Sequence, residues 1–323
     1  MSLSEVYAKL IEAVTLPFNN LTDPEDRLFI PYLLSSLALA YFVYHSSKIT
    51  GSFWRYVFPK DVWLGRSAMV DYGLIFFNAA FKVFFIGPYL LFGIYLSYHV
   101  ELLLPEVFGY PNVALTATQT IILYTIVLTV ALDLSIYLIH RLMHVIPIFW
   151  EFHKVHHAAT TMTPFTKYRS HPVELILITV TVTLTMGVVT GVFQYLSPHP
   201  IKESTLIGAN VLSLGFMVFG SNLRHSHIQL KYFKWLERVL LSPYQHQIHH
   251  SDNPEHYDRN LGSKLAIWDW MFGTLLRSDQ VEEIRFGIGK DDEANYSSLW
   301  KNLSTPFVNL WRMVRRIGPK KSF

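Results

Sequence analysis

Cysteine is absent from this chain, and charged residues are scarce. None of the 323 residues is Cys, and Asp, Glu, Lys and Arg together make up 16%, whereas about 25% is usual for a soluble protein. Without thiols the chain has no disulfides, thiolate zinc sites, iron–sulfur clusters or cysteine nucleophile. Any metal ion must therefore be held by nitrogen or oxygen ligands.

Motifs for redox cofactors are missing as well. The sequence contains no Gly-x-Gly-x-x-Gly signature for a nicotinamide or flavin, and Gly287-Ile-Gly289 is too short to count. No Cys pair is present for a ferredoxin or rubredoxin site, and the assigned segments leave no room for a haem domain. Redox chemistry in this chain would therefore require electrons from a separate protein.

Hydrophobic residues, by contrast, reach 51% and aromatic residues 15%, which is a membrane-protein composition. Five apolar stretches come close to or exceed the length of about 20 helical residues that crosses a bilayer. They are Leu28 to Tyr44, Tyr72 to Val100, Gln119 to Ile139, Val173 to Leu196 and Thr205 to Gly220. The second contains Asn78, Lys82 and Pro88, so a kinked span and a re-entrant hairpin both fit it.

Basic residues are distributed unevenly between the segments that connect these stretches. Lys and Arg fill the first loop, the segment after the third stretch and the tail from Arg224 onward, while Lys9, Arg27 and Lys202 are left for the opposite side. Because cytoplasmic loops are enriched in Lys and Arg, this pattern predicts an outside N-terminus, an odd number of crossings and a cytoplasmic tail. Met1 to Arg27 lacks the features of a cleaved signal peptide.

Two further segments are predicted to lie on the membrane surface, and for a third the sequence leaves this position open. Leu3 to Leu16 has the pattern of a short amphipathic helix, and Gln229 to Ser242 places apolar residues at helical spacing against charged ones. The basic tail, residues 296–323, combines Trp300, Trp311 and several Arg and Lys residues. It fits an anchor for anionic lipid headgroups and a solvated basic tail equally well.

Ten of the fifteen histidines fall in four short clusters, all on the predicted cytoplasmic side. The clusters are His140-x3-His144, His153-x2-His156-His157, His225-x-His227 and His246-x2-His249-His250. Residues separated by three or four positions lie on one face of a helix, so each longer cluster can direct several imidazoles at one ion. Clustered rings that became charged would repel one another, whereas metal coordination keeps them neutral. The clusters therefore predict a metal site.

The number of imidazoles exceeds the needs of one ion and suits two. Without thiolates, and without the carboxylate pattern of soluble di-iron bundles, the site would have only nitrogen ligands. We expect iron first among the metals that imidazole binds well. The type of ligand does not exclude zinc or copper.

Several longer motifs carry a resemblance to a known family. They are Asp133-x6-His140-Arg-x2-His144, His153-x2-His156-His157, Tyr168-Arg-Ser-His171-Pro-x-Glu174, Asn222-Leu-Arg-His225-Ser-His227, Ser242-Pro-x2-His246-Gln-Ile-His249-His250-Ser, Asp258-x-Asn260-x-Gly262 and Trp268-Asp269-x2-Phe272-Gly273-Thr274. The chain resembles the fatty acid hydroxylase and sterol desaturase superfamily of membrane di-iron oxygenases. The match runs from about residue 133 to 275, and residues 1 to about 110 contribute no family-specific signal.

The resemblance implies a set of site residues. Nine histidines would be catalytic ligands of two irons: His140, His144, His153, His156, His157, His225, His246, His249 and His250. His171 and His227 could complete the ligand set or hydrogen-bond to it. Partners that orient the ligands would be Asp133, Glu174, Asp258, Asn260 and Asp269. His45, His99, His199 and His256 fall outside the pattern, and Trp268 to Thr274 reads best as a tight turn with an aromatic anchor.

The implied activity is O2-dependent oxidation of an unactivated C–H bond in a lipid that enters from the bilayer. Hydroxylation is our first expectation and desaturation by the same site the alternative; the substrate could be a sterol, a fatty acyl chain, an ether lipid or an aminolipid. Electrons would come from a separate ferredoxin or cytochrome b5 type protein with its reductase, and an acidic donor could dock on the basic inner face. A histidine-lined metal carrier and a purely structural metal site are more distant alternatives.

The sequence thus predicts an all-α integral membrane protein. It would have four to five transmembrane or re-entrant helices and a cytoplasmic, helical, histidine-rich di-metal domain. Residues 1–323 would form one oxygenase domain with N-terminal spans in 28–110, a histidine core in 133–275 and the basic tail in 296–323. The motif wording favours a bacterial inner membrane over the endoplasmic reticulum, and no nucleic-acid partner is expected.

Overall fold

A computed structural model describes residues 2–87, 90–112, 114–207 and 209–317, and most of them are helical. The helices are α1 Leu3–Asn19, α2 Ile30–Ser46, α3 Phe53–Val57, α4 Lys60–Trp63, α5 Arg66–Phe81, α6 Leu90–Phe108, α7 Ala117–Val145, α8 Pro147–His157, α9 Pro172–Leu196, α10 Val211–Val218, α11 Pro243–His249, α12 Ile267–Phe272, α13 Lys290–Glu293 and α14 Leu299–Ile317. Strands β1 Thr205–Leu206 and β2 Ala209–Asn210 form a short antiparallel pair. Six 3₁₀ turns, found in the described residues, connect these elements: Pro164–Tyr168, Ser221–Arg224, Leu236–Arg238, Pro254–His256, Ser278–Gln280 and Ala294–Tyr296.

Four helices are long and apolar enough to cross a membrane. They are Arg66–Ile86, Leu91–Phe108, Ala117–Val145 and Pro172–Leu196. The third begins at a capping box, in which the Thr116 hydroxyl accepts from the Gln119 N–H and the Gln119 side chain accepts from the Thr116 N–H. The all-α membrane fold predicted from the sequence is confirmed.

The overlong stretch 72–100 forms two helices. The α-helix α5 passes into a π-helix at Lys82–Ile86, and α6 follows; Pro88 lies outside the described residues. The Asn78 side chain of α5 donates to the carbonyls of Tyr168 (3.1 Å) and Ser170 (2.9 Å), which lie just before the start of α9.

Two glycines bring α6 and α9 into close contact. A Cβ at Gly187 would lie 2.9 Å from the Gly93 carbonyl oxygen, and one at Gly191 would lie 2.5 Å from the Ser97 carbonyl oxygen. Because these contacts advance in the same direction along both helices, α6 runs parallel to α9. Of the two readings of residues 72–100, the kinked span is therefore the one that the structure supports.

One of the five predicted spans is wrong, and another stays a prediction. The first stretch forms the 17-residue helix α2, which is close to the length of about 20 residues that crosses a bilayer, so its crossing stays a prediction. The last, Thr205 to Gly220, consists of the β1–β2 pair and the eight-residue helix α10. The side chain of Asn210 starts α10 by accepting from the N–H groups of Leu212 and Ser213, and Gly220, with φ 105°, follows its end.

The connection from α9 to α10 returns along α7. Hydroxyl and amide side chains join them in order: Ser197 to Thr120 (2.7 Å), the Ser204 N–H to Thr125 (2.7 Å) and Asn210 to Thr129 (3.1 Å). The chain thus leaves the histidine clusters along α5 and α6, returns on α7, leaves on α9 and returns through residues 197–220. The described part of residues 197–220 contains no helix long enough to span a membrane, so the odd number of crossings expected from the basic residues stays a prediction.

The predicted surface helix at Gln229 to Ser242 is also wrong. Only the three-residue turn Leu236–Arg238 is helical there. The reason is Glu237, which is 1% exposed and accepts hydrogen bonds from the Ser242 hydroxyl (2.7 Å) and the Ser278 N–H (3.0 Å). A carboxylate facing inward removes the polar face that a helix in the membrane interface requires.

The helix α14 agrees with the predicted amphipathic tail. Trp300 and Trp311 are exposed, whereas the Asn302 side chain is buried and accepts from the Arg169 guanidinium (3.2 Å). Contact with a membrane stays a prediction, and Lys320 and Lys321 lie outside the described residues.

A buried ion pair fixes this layer to the spans. Arg169 donates to the Asp71 carboxylate of α5 (3.1 Å) and to the carbonyls of Val155 in α8 (2.9 Å) and Tyr296 (3.3 Å). Both charged side chains are at most 1% exposed. Arg169 therefore joins α5, α8 and the C-terminal segment directly beneath the histidines.

Candidate metal centre

Helices α7, α8 and α11 carry seven of the nine predicted ligands, and an eighth, His250, directly follows α11. In α11, Ser242 caps the helix by accepting from the Gln245 N–H (3.2 Å), and Pro243 occupies the first turn, where its missing N–H costs nothing. The ninth, His225, follows the turn Ser221–Arg224. Three helices and two residues next to helical segments thus place the imidazoles.

The structure brings all nine histidines together in two groups, within each of which the candidate ligand atoms lie within 4.8 Å of one another. The five-histidine group is His140, His144, His153, His157 and His249. The four-histidine group is His156, His225, His246 and His250.

Helices α8 and α11 each serve both groups. His156 and His157 are adjacent in sequence but belong to different groups, and so are His249 and His250. Neighbouring residues on a helix point about 100° apart, so each His-x-x-His-His motif sends two rings to one group and one ring to the other. The two helices therefore bridge the groups from opposite sides.

Ring nitrogens approach closely within the five-histidine group. Nε2 of His153 lies 3.0 Å from Nε2 of His140 and 3.2 Å from Nε2 of His157. Two nitrogens that are each about 2.0–2.1 Å from one ion stand roughly 3 Å apart. In addition, Nε2 of His144 and Nε2 of His249 are buried without a hydrogen-bond partner. This donor set fits a metal ion.

The four-histidine group has the same spacing. Nε2 of His246 lies 3.1 Å from Nε2 of His225 and 3.2 Å from Nε2 of His250, and Nε2 of His156 lies 3.3 Å from that of His225. The Nδ1 atom of His250 is buried without a partner. This group therefore fits a second ion.

Burial keeps these imidazoles neutral. Desolvation lowers the pKa of His153 and His156 to about 3 and holds the pKa of His157, His225 and His250 well below its usual value. Neutral rings are the form that binds metal, because the coordinating nitrogen must be deprotonated.

Hydrogen bonds at Nδ1 orient the rings. Glu174 accepts from Nδ1 of His153 (3.1 Å), and the Arg169 carbonyl accepts from Nδ1 of His156 (3.1 Å). Because a neutral imidazole that donates from Nδ1 keeps its lone pair on Nε2, these bonds turn the Nε2 lone pairs toward the group centres.

One short loop, residues 258–262, orients three rings of the five-histidine group. The Asp258 carboxylate accepts from His144 (3.0 Å). The Arg259 carbonyl accepts from His249 (2.8 Å), and the Leu261 carbonyl accepts from His140 (2.7 Å). All three bonds reach Nδ1 of the ring concerned.

Buried side chains hold this loop in place. The Asp269 carboxylate accepts from the N–H groups of Leu261 (2.8 Å) and Gly262 (2.9 Å) and from the Thr274 hydroxyl (2.6 Å). A Cβ at residue 262 would lie 2.7 Å from that carboxylate, which explains the glycine. Asn260, with φ 55°, donates to the Gln245 carbonyl (3.0 Å) and thereby ties the loop to α11.

Asp133 fixes the next segment to α7. Its carboxylate accepts from the N–H groups of Lys264 (2.8 Å) and Leu265 (3.0 Å) and from the Trp268 indole (2.9 Å). Asp133 therefore supports this segment and makes no hydrogen bond to a histidine ring in the described residues.

Sequence reasoning missed the role of Arg224. Its guanidinium lies 2.9 Å from Nδ1 of His246 and also donates to the Gly262 carbonyl (3.2 Å). Since a guanidinium can only donate, Nδ1 of His246 accepts, and the neutral ring carries its proton on Nε2. Metal binding at this nitrogen would release that proton. The place of Arg224 in the motif Asn222-Leu-Arg-His225-Ser-His227 was the signal in the sequence.

His171 and His227 lie outside both groups. His171 caps α9 by accepting at Nδ1 from the Val173 N–H (3.1 Å), and its Nε2 donates to the Leu303 carbonyl (3.2 Å). Nε2 of His227 donates to the Tyr56 carbonyl (2.6 Å). Both rings thus make structural contacts to neighbouring segments.

A cavity of about 320 Å³ opens onto the five-histidine group from the side opposite the spans. His144, His157, His249 and Trp150 line it together with Asp258. The Trp150 ring packs 5.1 Å from the His144 ring and 5.3 Å from the His157 ring, measured between centroids. This opening gives small molecules a route to the histidines.

The sequence of this core matches a known family. Residues 125–274 match the family model described as fatty acid hydroxylase. The histidine core of the chain is therefore similar to the fatty acid hydroxylase family. The matched residues contain all nine clustered histidines and the loop that orients them.

Curated proteins similar to this chain include lipid-modifying enzymes. An alkylglycerol monooxygenase of Danio rerio is 30% identical over 150 residues, which is 46% of this chain and 30% of the relative. An ornithine lipid hydroxylase of Rhizobium tropici is 24% identical over 156 residues, 48% of this chain and 43% of the relative. A Δ7-sterol 5(6)-desaturase of Gibberella zeae is 29% identical over 141 residues, 44% of this chain and 39% of the relative.

These matches span less than half the length of each relative. No solved structure gives a significant match.

Proposed function

We propose that this protein is a membrane lipid hydroxylase with a non-haem di-iron centre. The observation that carries the proposal is the gathering of nine neutral imidazoles into a group of five and a group of four. All nine histidines would hold iron, with Asp258, Glu174 and the carbonyls of residues 169, 259 and 261 orienting them. Iron bound there would supply the O2-dependent oxidation of a C–H bond.

The protein's own contribution is to fix the rings. Glu174 and Asp258 keep Nδ1 of their histidines protonated, so the Nε2 lone pairs face inward. The buried Asp71–Arg169 pair, which also bonds the Val155 carbonyl, holds α5 against α8.

The substrate proposed here is a lipid that enters from the bilayer. Relatives are named for action on alkylglycerol, ornithine lipid and a sterol, so the shared feature is a membrane lipid and the individual class differs. A separate ferredoxin or cytochrome b5 type donor would supply electrons. We place the histidines on the cytoplasmic face of a bacterial inner membrane and treat residues 1–323 as one oxygenase unit.

A comparison of cellular lipids tests the proposal. The intact protein and a His250→Ala variant are produced in a host that supplies the candidate lipids and a competent donor, and lipids are analysed by high-resolution mass spectrometry. We expect a lipid class one oxygen heavier that requires both O2 and His250. The exposed His45 provides a matched control, because His45→Ala should leave the product unchanged.

Other outcomes have defined meanings. A product two hydrogens lighter would make the protein a desaturase, the alternative that the sterol desaturase relative favours. Iron content without any O2-dependent product would refute the oxygenase proposal and leave a structural metal site.

A further inference from the structure

Three cationic side chains, Arg27, Lys82 and Lys167, lie close enough to repel one another electrostatically, and Arg27 and Lys167 also act on His225 of the four-histidine group. They come from three separate parts of the chain: the α1–α2 connection, the π-helix after α5 and the turn Pro164–Tyr168. None belongs to the metal centre described above.

Hydrogen bonds place Arg27 and Lys167 close to the metal centre. Asn222, three residues before His225, donates to the Arg27 carbonyl (2.8 Å). The residue after Tyr168 is Arg169, whose carbonyl accepts from His156, and the Lys167 ammonium lies 5.0 Å from the Tyr168 ring. Both cations therefore lie within a few residues of the four-histidine group.

Lys82 reaches the same place from α5. Asn78, which donates to the Tyr168 carbonyl, lies one turn before Lys82 on the same helix face. Asp26 attracts both Lys82 and Lys167, while Lys82 and Arg27 repel Lys167. An ionisable residue in an apolar span is energetically costly and is therefore a candidate for a functional role, and π-helical turns are frequent at functional sites.

The cluster carries more positive than negative charge. Its one carboxylate, Asp26, already accepts from the Tyr168 hydroxyl and from the Leu28 N–H (2.8 Å). Within the described residues, the side-chain nitrogens of Arg27, Lys82 and Lys167 make no hydrogen bond or ion pair. Desolvation lowers the pKa of Lys167 to about 7, so an uncompensated charge here is costly.

The three cations can nevertheless be reached by a ligand. Lys82 is exposed, and Arg27 and Lys167 are half-buried. Nearby carboxylates do not neutralise them: Glu25 is exposed, and Glu203 lies near Lys264. An anionic group from outside the chain would complete the charge balance.

We propose that Arg27, Lys82 and Lys167 bind the anionic headgroup of the lipid substrate, a phosphate or a carboxylate. This inference rests on the proposed function, because it assigns the headgroup of the lipid that the metal centre oxidises. Since the cations adjoin the four-histidine group, the oxidised carbon lies toward the headgroup end of the lipid and not at the far end of a chain.

Lipid binding to the purified protein in detergent tests the inference without turnover. The probes are dihexanoyl phosphatidic acid, decanoate and, as a zwitterionic reference, dihexanoyl phosphatidylcholine. We expect at least one anionic probe to bind about tenfold more tightly than the reference, and Lys167→Met and Lys82→Met each to reduce that binding about tenfold, which corresponds to about 1.4 kcal/mol. Comparison of the two anions separates phosphate from carboxylate recognition.

Matched variants make the result decisive. Lys234 is 75% exposed and pairs with Asp279 on the surface, so Lys234→Met should bind like the parent. The charge-conserving Lys82→Arg should keep most of the binding and shows whether loss in Lys82→Met reflects charge or folding. Equal affinity for all three probes, or unchanged binding in both Met variants, would overturn the inference.

Failure of the proposed function would look different. If the cation cluster binds anionic lipid but no O2-dependent product forms, the headgroup site stands and the oxygenase proposal falls. If product forms while anionic and zwitterionic probes bind equally, only the headgroup assignment falls.

Discussion

Asp269→Asn should weaken metal binding although Asp269 contacts no histidine. Its carboxylate holds the loop 258–262 through Leu261, Gly262 and Thr274. An amide can accept at one position only, and its NH2 would face an N–H donor at the other. Three rings of the five-histidine group depend on this loop for their orientation.

The magnitude follows from the hydrogen bonds lost. Replacing a charged acceptor and leaving a buried N–H without a partner lowers the stability of the folded structure by about 1.5–3 kcal/mol. Mutation of a residue that orients metal ligands typically weakens metal affinity by about 10–100-fold, which corresponds to about 1.4–2.7 kcal/mol of binding free energy. Both estimates agree, so we expect a 10–100-fold weaker iron(II) affinity.

Iron retention against a chelator series, measured by elemental analysis, provides the assay. A pH near 7.5 is suitable, because desolvation raises the pKa of Asp269 to about 6 and the parent carboxylate is then ionised. Asp279, which pairs with Lys234 and Arg277 on the surface, supplies the control Asp279→Asn, expected to match the parent. Unchanged iron affinity in a folded Asp269→Asn protein would refute the idea that the loop orients the rings.

Three further predictions follow from buried groups. Arg169→Ala leaves the Asp71 carboxylate buried without its partner and should destabilise the protein by about 3–5 kcal/mol, seen as a lower unfolding temperature in detergent; an unchanged temperature would contradict the pairing. His171→Ala and His227→Ala should retain the parent iron stoichiometry, whereas His250→Ala should lose iron from the four-histidine group; equal stoichiometry in all three would contradict the grouping. The metal-free protein should lose stability as pH falls from about 6.5 toward 3, because the unfolded chain binds protons there and the buried His153 and His156 do not. A flat thermal stability across that range would contradict their burial as neutral rings.

The histidine motifs could be predicted from the sequence because helical spacing is a local property. His140 and His144, four residues apart on α7, do reach the same group. Which histidine belongs to which group could not be predicted from helical spacing. It depends on how α8 and α11 are rotated about their axes, which is decided by the packing of distant elements.

Two errors share a different cause. The stretches Thr205 to Gly220 and Gln229 to Ser242 have the apolar content of a span and of a surface helix, but single polar residues override it. In Thr205 to Gly220, the side chain of Asn210 caps the start of the short helix α10. In Gln229 to Ser242, the buried Glu237 carboxylate accepts a hydrogen bond from the Ser242 hydroxyl. Such residues act through tertiary partners, here as distant as Ser278, that no local pattern reveals.

The loop 258–262 has a consequence for how this site tolerates change during evolution. Two of its three bonds to histidines come from main-chain carbonyls, those of Arg259 and Leu261. A carbonyl is present whatever the side chain, so the exposed position 259 is free to vary among homologues while its contact persists. Selection should instead act on Asn260 and Gly262, because these two residues allow the backbone conformation of the loop. Homologues that differ at residue 259 should therefore share the same ring orientation.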